Sequence, residues 1–543
     1  MKNRALLTAL ATVVFHLFGF CSDGFSDRLP IIIDGQFSDW EDAPIAYTDQ
    51  SGDAFGGIDF GEIRLADDNE FLFLSFEFDG EVDASENNGL LMYIDTDFNS
   101  STGLSIGGIG AELEWNFNSR FGLARLDGGE TFVEQNDIGF RGGPTITSSR
   151  FEFAIRLDSI PDGVNPLFPG SQIRIFLSDN TGGDIAPELG QFVNYEIGVG
   201  ELPDETTIPL DRQSSSDLRL VTHNVLFDSP WAPGSEARFG RQWAAVSPDI
   251  LNFQEIFEHT AAETIDLVDN WVNAEPGQTW QAARHSDCVT VSRFPILNSW
   301  PIDGNLATLI DTTQKLGSPI LIINAHLPCC DNDGARQNEA NQIMAFIYDA
   351  RNAGGNVDIA NGTPIIITGD LNLVGLSQQL TTLLSGFITN PNVGPIFEPD
   401  WDDTDFTNLI TRQTERRMGY TWRNDFSSFW PGHLDFVIYS DSVIEAANHY
   451  VLYTPEISDP QSMGLQADDS LSSDHLLFCS DFRNKQKVLL GDVNQDGVVN
   501  LLDVEPFVSL LGSGQFQAEG DINGDGAVNL LDVGLFVTIL GGG

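Results

Sequence analysis

The sequence predicts a multidomain chain: an N-terminal β-sandwich, a central α/β domain and a small α-helical unit at the C-terminus. Three observations carry this. Residues 28–210 hold short alternating apolar runs broken by Gly, Asp and Asn, with no helical period of useful length. Residues 217–483 alternate apolar strand-like runs with helical stretches. Residues 491–543 hold one motif twice, with Asp492 and Asp521 at the same place in each copy.

At 543 residues the chain exceeds what one hydrophobic core serves. Its unusual property is charge: 80 acidic against 26 basic residues, a net of −54. The imbalance is spread along the chain, −26 over residues 1–216, −22 over 217–483 and −6 over 484–543. Such a surface repels nucleic acid and anionic membranes at long range. It suits a protein that stays soluble in salt water or gathers divalent cations.

Residues 1–21 read as a signal peptide. Lys2 and Arg4 form a basic start, Ala5 to Phe15 an apolar stretch, and Gly19 and Cys21 a small-residue cleavage site before Ser22. A lipoprotein reading of Cys21 is the alternative, opposed by Phe20 where a small residue is wanted. No later apolar run reaches the ~18 residues a membrane helix needs, so no membrane span is expected. The expected location is secreted and extracellular, with the periplasm or cell surface as alternatives. Beyond the signal remain Cys288, Cys329, Cys330 and Cys479. An oxidising compartment permits disulfides. A bridge between the adjacent pair is strained, so one long-range bridge from it is expected.

In residues 28–210 the expected strands are "EFLFLSFEF" (70–78), "GLLMYIDTD" (89–97), "AELEWNF" (111–117), "RFEFAIRL" (150–157) and "QIRIFLSD" (172–179). Many short strands with turn residues between them argue a β-sandwich. Residues 211–217, "DRQSSSD", read as a polar linker.

In residues 217–483 the apolar runs "DLRLVTHNVL", "PILIINAHL", "TPIIITGDLNL" and "HLDFVIYSD" suit buried strands. The strand ends present, in order, His223-Asn224, Gln254-Glu255, Asn324-Ala325-His326, Gly369-Asp370-Leu371-Asn372, Asp435 and Ser473-Asp474-His475. Active sites on such sheets collect at strand ends. No Ser or Cys stands in a nucleophile elbow. Hard oxygen ligands such as Glu255 and Asp474 suit Mg2+ or Mn2+ rather than structural zinc. Two imidazoles can donate to an anionic phosphoryl group, each oriented by a carboxylate. A metal with a carboxylate can activate water for attack on phosphorus.

The ordered set HN…QE…NAHL…GDLN…LDFVIYSD…SDH, with "VSRFPI" (291–296) inside it, resembles the endonuclease/exonuclease/phosphatase superfamily over the whole central segment. The resemblance implies the deoxyribonuclease I-like fold, a four-layer α/β sandwich. It implies Glu255 as principal metal ligand, with Asn224 beside it and Asp474 contributing directly or through water. Asp370 would orient or deprotonate the attacking water, and Asn372 would help hold the phosphate. His475, held by Asp435, would contact the phosphoryl oxygens or protonate the leaving oxygen, and His326 would be a second phosphate donor. The departure lies between Glu255 and Val291, where nucleases of this fold carry a carboxylate or Tyr that partners the mid-chain His. "ARHSDC" (283–288) offers His285 or Asp287 there without a clear match, leaving the nuclease subtype open. Arg336 reads either as a further phosphate contact or as a solvated helix charge.

The terminal repeat has calcium-loop spacing. Asp492, Asn494, Asp496, Asn500 and Asp503 occupy positions 1, 3, 5, 9 and 12 of one loop, with Gly497 at 6. Asp521, Asn523, Asp525, Asn529 and Asp532 repeat the pattern with Gly526. Each loop precedes an apolar helix face, and the pair resembles a type I dockerin. That implies two Ca2+ sites and a cohesin-bearing partner. Positions 10 and 11 are Leu501-Leu502 and Leu530-Leu531, unlike the small or polar residues of cellulosomal dockerins. The N-terminal segment resembles family-nine-like carbohydrate-binding sandwiches through "IDGQFSDWED" (33–42), "YIDTDFNSSTG" (93–103) and "GAELEWNF" (110–117). That implies a possible carbohydrate ligand, with Asp95, Asp97 and Asn99 around a Ca2+ and Trp40 or Trp115 either stacked on sugar or in the core.

The expected function is a secreted divalent-metal-dependent phosphoester hydrolase acting on nucleic acid, a phospholipid headgroup or a small phosphoester. The alternative is a non-catalytic polysaccharide-associated or cohesin-binding scaffold. The −22 of the central segment weighs against long anionic polymers. Phe426, Phe429 and Trp430 read either as lipid or base contacts or as loop packing.

Overall fold

The computed structural model describes residues 28–202, 207–274, 277–457, 464–465, 469–485, 489–494, 498–513 and 515–541. The signal-peptide reading, and Asp496 and Gly497 of the first calcium loop, lie outside the described residues.

The N-terminal region builds two antiparallel sheets. One runs Ile45–Thr48, Phe60–Asp67, Phe71–Val82, Ser148–Arg156, Arg141–Gly143; the other is led by Gln172–Asp179, Leu90–Asp95 and Leu113–Asn116. Strand Phe71–Val82 explains how they pack. Successive side chains point to opposite faces, and here both faces are apolar. Leu72, Leu74, Phe76 and Phe78 join Leu90, Met92, Trp115 and Ile175 in one core between the sheets. Phe71 and Phe73 point the other way, into a second cluster with Met418, Tyr420, Val451, Tyr453 and Leu476 of the central domain. Trp40 and Trp115 are fully buried, so neither can stack on a sugar. Trp40 Nε1 donates to Glu152 Oε2 at 2.8 Å inside the second cluster's region.

The central domain has two six-stranded sheets. The first runs Gln281–His285, Cys288–Ser292, Ile250–Gln254, Leu218–Asn224, Phe478–Asn484, Ile444–Val451. The second runs Ile296–Ile302, Asn305–Ile310, Ile320–His326, Ile365–Asp370, Asp435–Tyr439, Thr407–Asn408. Leu218, Leu220, Ile250, Ile320, Ile322, Ile366, Val437 and Phe478 meet in one cluster. Helix Glu236–Val246 buries Phe239, Trp243 and Val246, spaced by four and three residues, in a cluster with Val221, Leu251 and Phe253. Helix Asp333–Arg351 likewise packs Ala340, Ile343, Met344 and Ile347 against Leu321, Ile323 and Ile367. Helix Ala261–Asp269 starts on a capping box between Thr260 and Glu263.

Three expectations are corrected here. Residues 211–217 are not a free linker: Arg212 Nη2 donates to Ser247 O at 2.7 Å and to Asp249 Oδ2 at 3.0 Å. Asp217 is buried and pairs with Arg483 at 3.0 Å. Cys288 and Cys479 are buried and unbonded in separate strands, so no long-range disulfide forms with either. Trp430 is neither a ligand contact nor local loop packing. It leaves the central domain and enters the N-terminal core, with its ring 5.3 Å from Phe140.

At the C-terminus, helices Val504–Ser513 and Asp532–Leu540 follow the two loops, and Phe507 stacks on Phe536 at 4.0 Å.

Candidate active site

Strand register assembles the site in two rows. In the second sheet His326 pairs in register with Asp370, and Asp370 with Asp435. In the first sheet Asn224 pairs with Gln254, which puts Glu255 one residue beyond the strand. Below these rows a polar lock fixes one sheet on the other. Gln254 Nε2 donates to Asn324 Oδ1 at 2.7 Å, and Asn324 Nδ2 donates to Phe253 O at 3.1 Å. The Gln and Asn of the QE and NAH motifs are therefore structural partners.

The rows meet at Asp370, which is almost fully buried. Its Oδ2 accepts from Asn224 Nδ2 at 3.0 Å and faces His475 Nε2 at 3.5 Å and His326 Nε2 at 3.6 Å. Its Oδ1 accepts from the Asn372 backbone N–H at 3.0 Å. Each imidazole is backed by an acid: His475 Nδ1 bonds Asp435 Oδ2 at 2.8 Å, and His326 Nδ1 bonds Asp287 Oδ2 at 2.6 Å. Asp287 Oδ2 also accepts from the Glu255 backbone N–H at 3.1 Å, which ties the histidine pair to the neighbouring strand end.

Electrostatics follow from this geometry. Burial opposes a charged His475, but the Asp435 and Asp370 carboxylates outweigh it and raise its pKa to about 10. Burial likewise opposes a charged His326, and its bond to Asp287 with the Asp370 charge raises it to about 9. Burial would raise Asp287, but the His326 partnership holds it below the usual carboxylate range. Asp370 is pushed up by burial. Both imidazoles are thus cations at neutral pH, set against five carboxylates: Glu255, Asp287, Asp370, Asp435 and Asp474.

Glu255 and Asn372 sit at φ 66° and 47°, a left-handed conformation rare for non-glycine residues and concentrated at functional sites. Glu255 Oε1 accepts from Asn224 Nδ2 at 3.0 Å and Oε2 from the Phe227 backbone at 2.9 Å. Asp474 Oδ2 accepts from Trp422 Nε1 at 3.0 Å, while its Oδ1 is buried with no hydrogen-bond partner. The Ser473 hydroxyl donates to Asn224 O at 2.8 Å and draws the Asp474 turn to that strand end. An all-oxygen donor set with a buried unsatisfied carboxylate oxygen fits a hard divalent cation.

One residue departs from expectation. Arg336 is buried and holds the Pro328 carbonyl at 3.0 Å, Asp333 Oδ1 at 2.7 Å and Gln379 Oε1 at 3.2 Å, so it is neither a phosphate contact nor a solvated charge. The Asn372 amide N–H2 donates to Leu327 O at 3.0 Å, which holds two strand ends together. Asp287, left open between two candidates, is the His326 partner. His285 instead bonds the Asp303 carbonyl at 2.7 Å. The available signal was position: Asp287 immediately precedes strand Cys288–Ser292. Of the N-terminal acids, Asp95 and Asp97 lie together with Glu112. Of the C-terminal loop residues, Asp503 accepts from the Asn494 and Asn500 backbones, and Asp532 from Ile522, Asn523 and Asn529. Asp521 accepts from Asp525 and Gly526.

Residues 221–475 match the endonuclease/exonuclease/phosphatase family model. The match spans nearly the whole central domain. Endonuclease/exonuclease/phosphatase domains are metal-dependent phosphoester hydrolases. Residues 490–540 match the type I dockerin domain, a calcium-binding module. Among solved structures, the chain is similar to beta toxin from Staphylococcus aureus at 17% identity and TM-score 0.30, covering 49% of this chain and 99% of that one. It is similar to sphingomyelinase C from Streptomyces griseocarneus at 16% identity and TM-score 0.32, with 49% and 99% covered. An endonuclease/exonuclease/phosphatase family protein from Bacteroides thetaiotaomicron aligns at 15% identity and TM-score 0.32, over 49% and 97%. No curated protein matches the chain. Among the described residues no helix is long and apolar enough to cross a membrane.

Proposed function

We propose that this chain is a secreted phosphodiesterase or phosphatase that uses metal-activated water, carried on a four-layer α/β domain flanked by a β-sandwich and a dockerin. The observation that carries it is the convergence of Asn224, His326 and His475 on one buried oxygen of Asp370. Asn224, Glu255 and Asp474 would hold Mg2+ or Mn2+, whose role when bound is to polarise a phosphoryl oxygen and offset its charge. Asp370 positions the attacking water and takes its proton, a task for which its raised pKa fits it. His326 and His475, both protonated, donate to phosphoryl oxygens, and His475 gives its proton to the leaving oxygen. Asp287 and Asp435 keep each imidazole charged and oriented. Asn372 fixes Asp370 through its backbone N–H and the Leu327 turn through its side-chain amide.

Substrate size follows from surroundings. The −22 of the central segment disfavours long polyanions, so a small phosphoester or a phospholipid headgroup is the preferred class. Phe227 and Phe257 support a headgroup with apolar tails: they stack at 5.7 Å beside Glu255 and stand 72% and 44% exposed. The test is a panel of plasmid, single-stranded DNA, RNA, sphingomyelin and inositol phosphates at low and high salt. Fastest turnover on plasmid at low salt would contradict the preference.

In the dockerin, Asp492, Asn494, Asp496, Asn500 and Asp503 would hold one Ca2+ and Asp521, Asn523, Asp525, Asn529 and Asp532 the second. Leu501, Leu502, Leu530 and Leu531 stand 68–82% exposed at equivalent places, which suits a cohesin with an apolar contact face. Such modules belong to extracellular or cell-surface assemblies, in keeping with export. The buried Trp40 and Trp115 leave no sugar platform at the residues first expected to supply one.

A further inference from the structure

The hydrolase reading leaves a second group of acids without a task. Asp49, Asp53, Asp59 and Asp184 each offer a carboxylate oxygen within 4.8 Å of the others. Asp49 follows strand Ile45–Thr48 and Asp59 precedes strand Phe60–Asp67, both of one sheet. Asp184 precedes strand Ile185–Ala186, which belongs to the other sheet.

Asp49 is 7% exposed, and neither of its oxygens has a hydrogen-bond partner. Asp53 Oδ1 and Asp59 Oδ1 are also buried without one. Three other oxygens of the group are committed to backbone: Asp59 Oδ2 accepts from Gly52 at 2.6 Å, and Asp184 accepts from Phe60 at 2.8 Å and Ile185 at 2.8 Å. These bonds place the carboxylates and leave four inward oxygens unsatisfied. Among the described residues no Arg, Lys or His forms an ion pair with any of the four. Clustered carboxylates without a counter-charge, Asp49 and Asp184 buried and Asp53 and Asp59 half-buried, are costly, and a buried unsatisfied oxygen has to be explained.

We infer that Asp49, Asp53, Asp59 and Asp184 bind one Ca2+, which staples the two sheets of the N-terminal region at one end. The ligands are all oxygen, with no imidazole or thiolate, which selects a hard cation. Four carboxylates with no room-demanding imidazole suit calcium, which takes about six to eight oxygens in flexible geometry, better than magnesium, which demands near-ideal octahedral geometry and keeps several waters. Asp179, on the second sheet, accepts from the Ile58 backbone at 3.0 Å and closes the same end.

The test is 45Ca2+ equilibrium dialysis on the full chain, comparing wild type with the Asp49→Asn/Asp184→Asn variant. The dockerin and the Asp95 cluster are untouched in both. The variant is expected to bind one Ca2+ fewer per chain, and to lose part of the calcium-induced rise in Tm. An unchanged stoichiometry at wild-type affinity would overturn the inference. Should the double variant not fold, Asp53→Asn decides, since Asp53 lies in a loop and is only half-buried. At least tenfold weaker binding at one site supports the staple; unchanged affinity at every site overturns it. Hydrolysis of a phosphoester with Mg2+ by Asp53→Asn is expected to match wild type.

Discussion

His326 shows how one neighbour sets a working group. Its pKa of about 9 stands above the ordinary 6.5 because Asp287 bonds Nδ1 and Asp370 faces Nε2. A raised imidazole pKa favours folding while the group is protonated. That contribution is complete below about 6.5 and is lost as pH rises through about 9. Activity is therefore expected to fall on an alkaline limb near pH 9, read from kcat/KM against pH. Asp287→Asn is expected to move that limb toward neutral pH and to lower kcat/KM by about 10–100-fold, the usual cost of losing an orienting partner behind a working imidazole. An unmoved limb would show that His326 does not act as a cation.

At the scale of elements, close approach of two strands sets the site. Gly369 has φ 136°, and a Cβ there would lie 1.9 Å from the Ala325 carbonyl oxygen. Gly369→Ala is expected to cost about 1–3 kcal/mol through that strain, seen as a lower Tm, and to displace Asp370. The strands and their polar ends were legible in the sequence, because continuous apolar runs and strand-end polars are local signals. Asp287 was not, since its partnership with His326 is made across two sheets. Arg336 misled because its acceptors, the Pro328 and Cys330 carbonyls, come from a turn whose direction no local pattern encodes. The continuous apolar run at residues 70–78 reads as a strand, but its second buried face marks a domain contact invisible in one segment. Asn372 kept its expected place, and the bond of its amide to Leu327 O is a further contact that no local pattern encodes.

Across the whole molecule, the N-terminal region supports the active site. Met418 and Tyr420 pack on Phe71 and Phe73, while Thr421 Oγ1 accepts from the Asp435 backbone at 2.9 Å and Trp422 holds Asp474. Trp430 anchors the same segment in the N-terminal core. Trp430→Ala is expected to cost about 3–5 kcal/mol and to lower activity although the residue lies outside the site. Calorimetry should show residues 28–485 unfolding as one unit, with the dockerin melting separately and shifting with Ca2+. Two independent transitions within 28–485 would contradict the shared core. The central claim is that Asp370 is the base of a metal-dependent phosphoester hydrolase. Its most direct test is hydrolysis of bis-p-nitrophenyl phosphate by wild type and Asp370→Ala, with Mg2+ and with EDTA. The expected result is Mg2+-dependent turnover that falls by about 10²–10⁴-fold in Asp370→Ala; no turnover by wild type, or equal turnover by the variant, would contradict it.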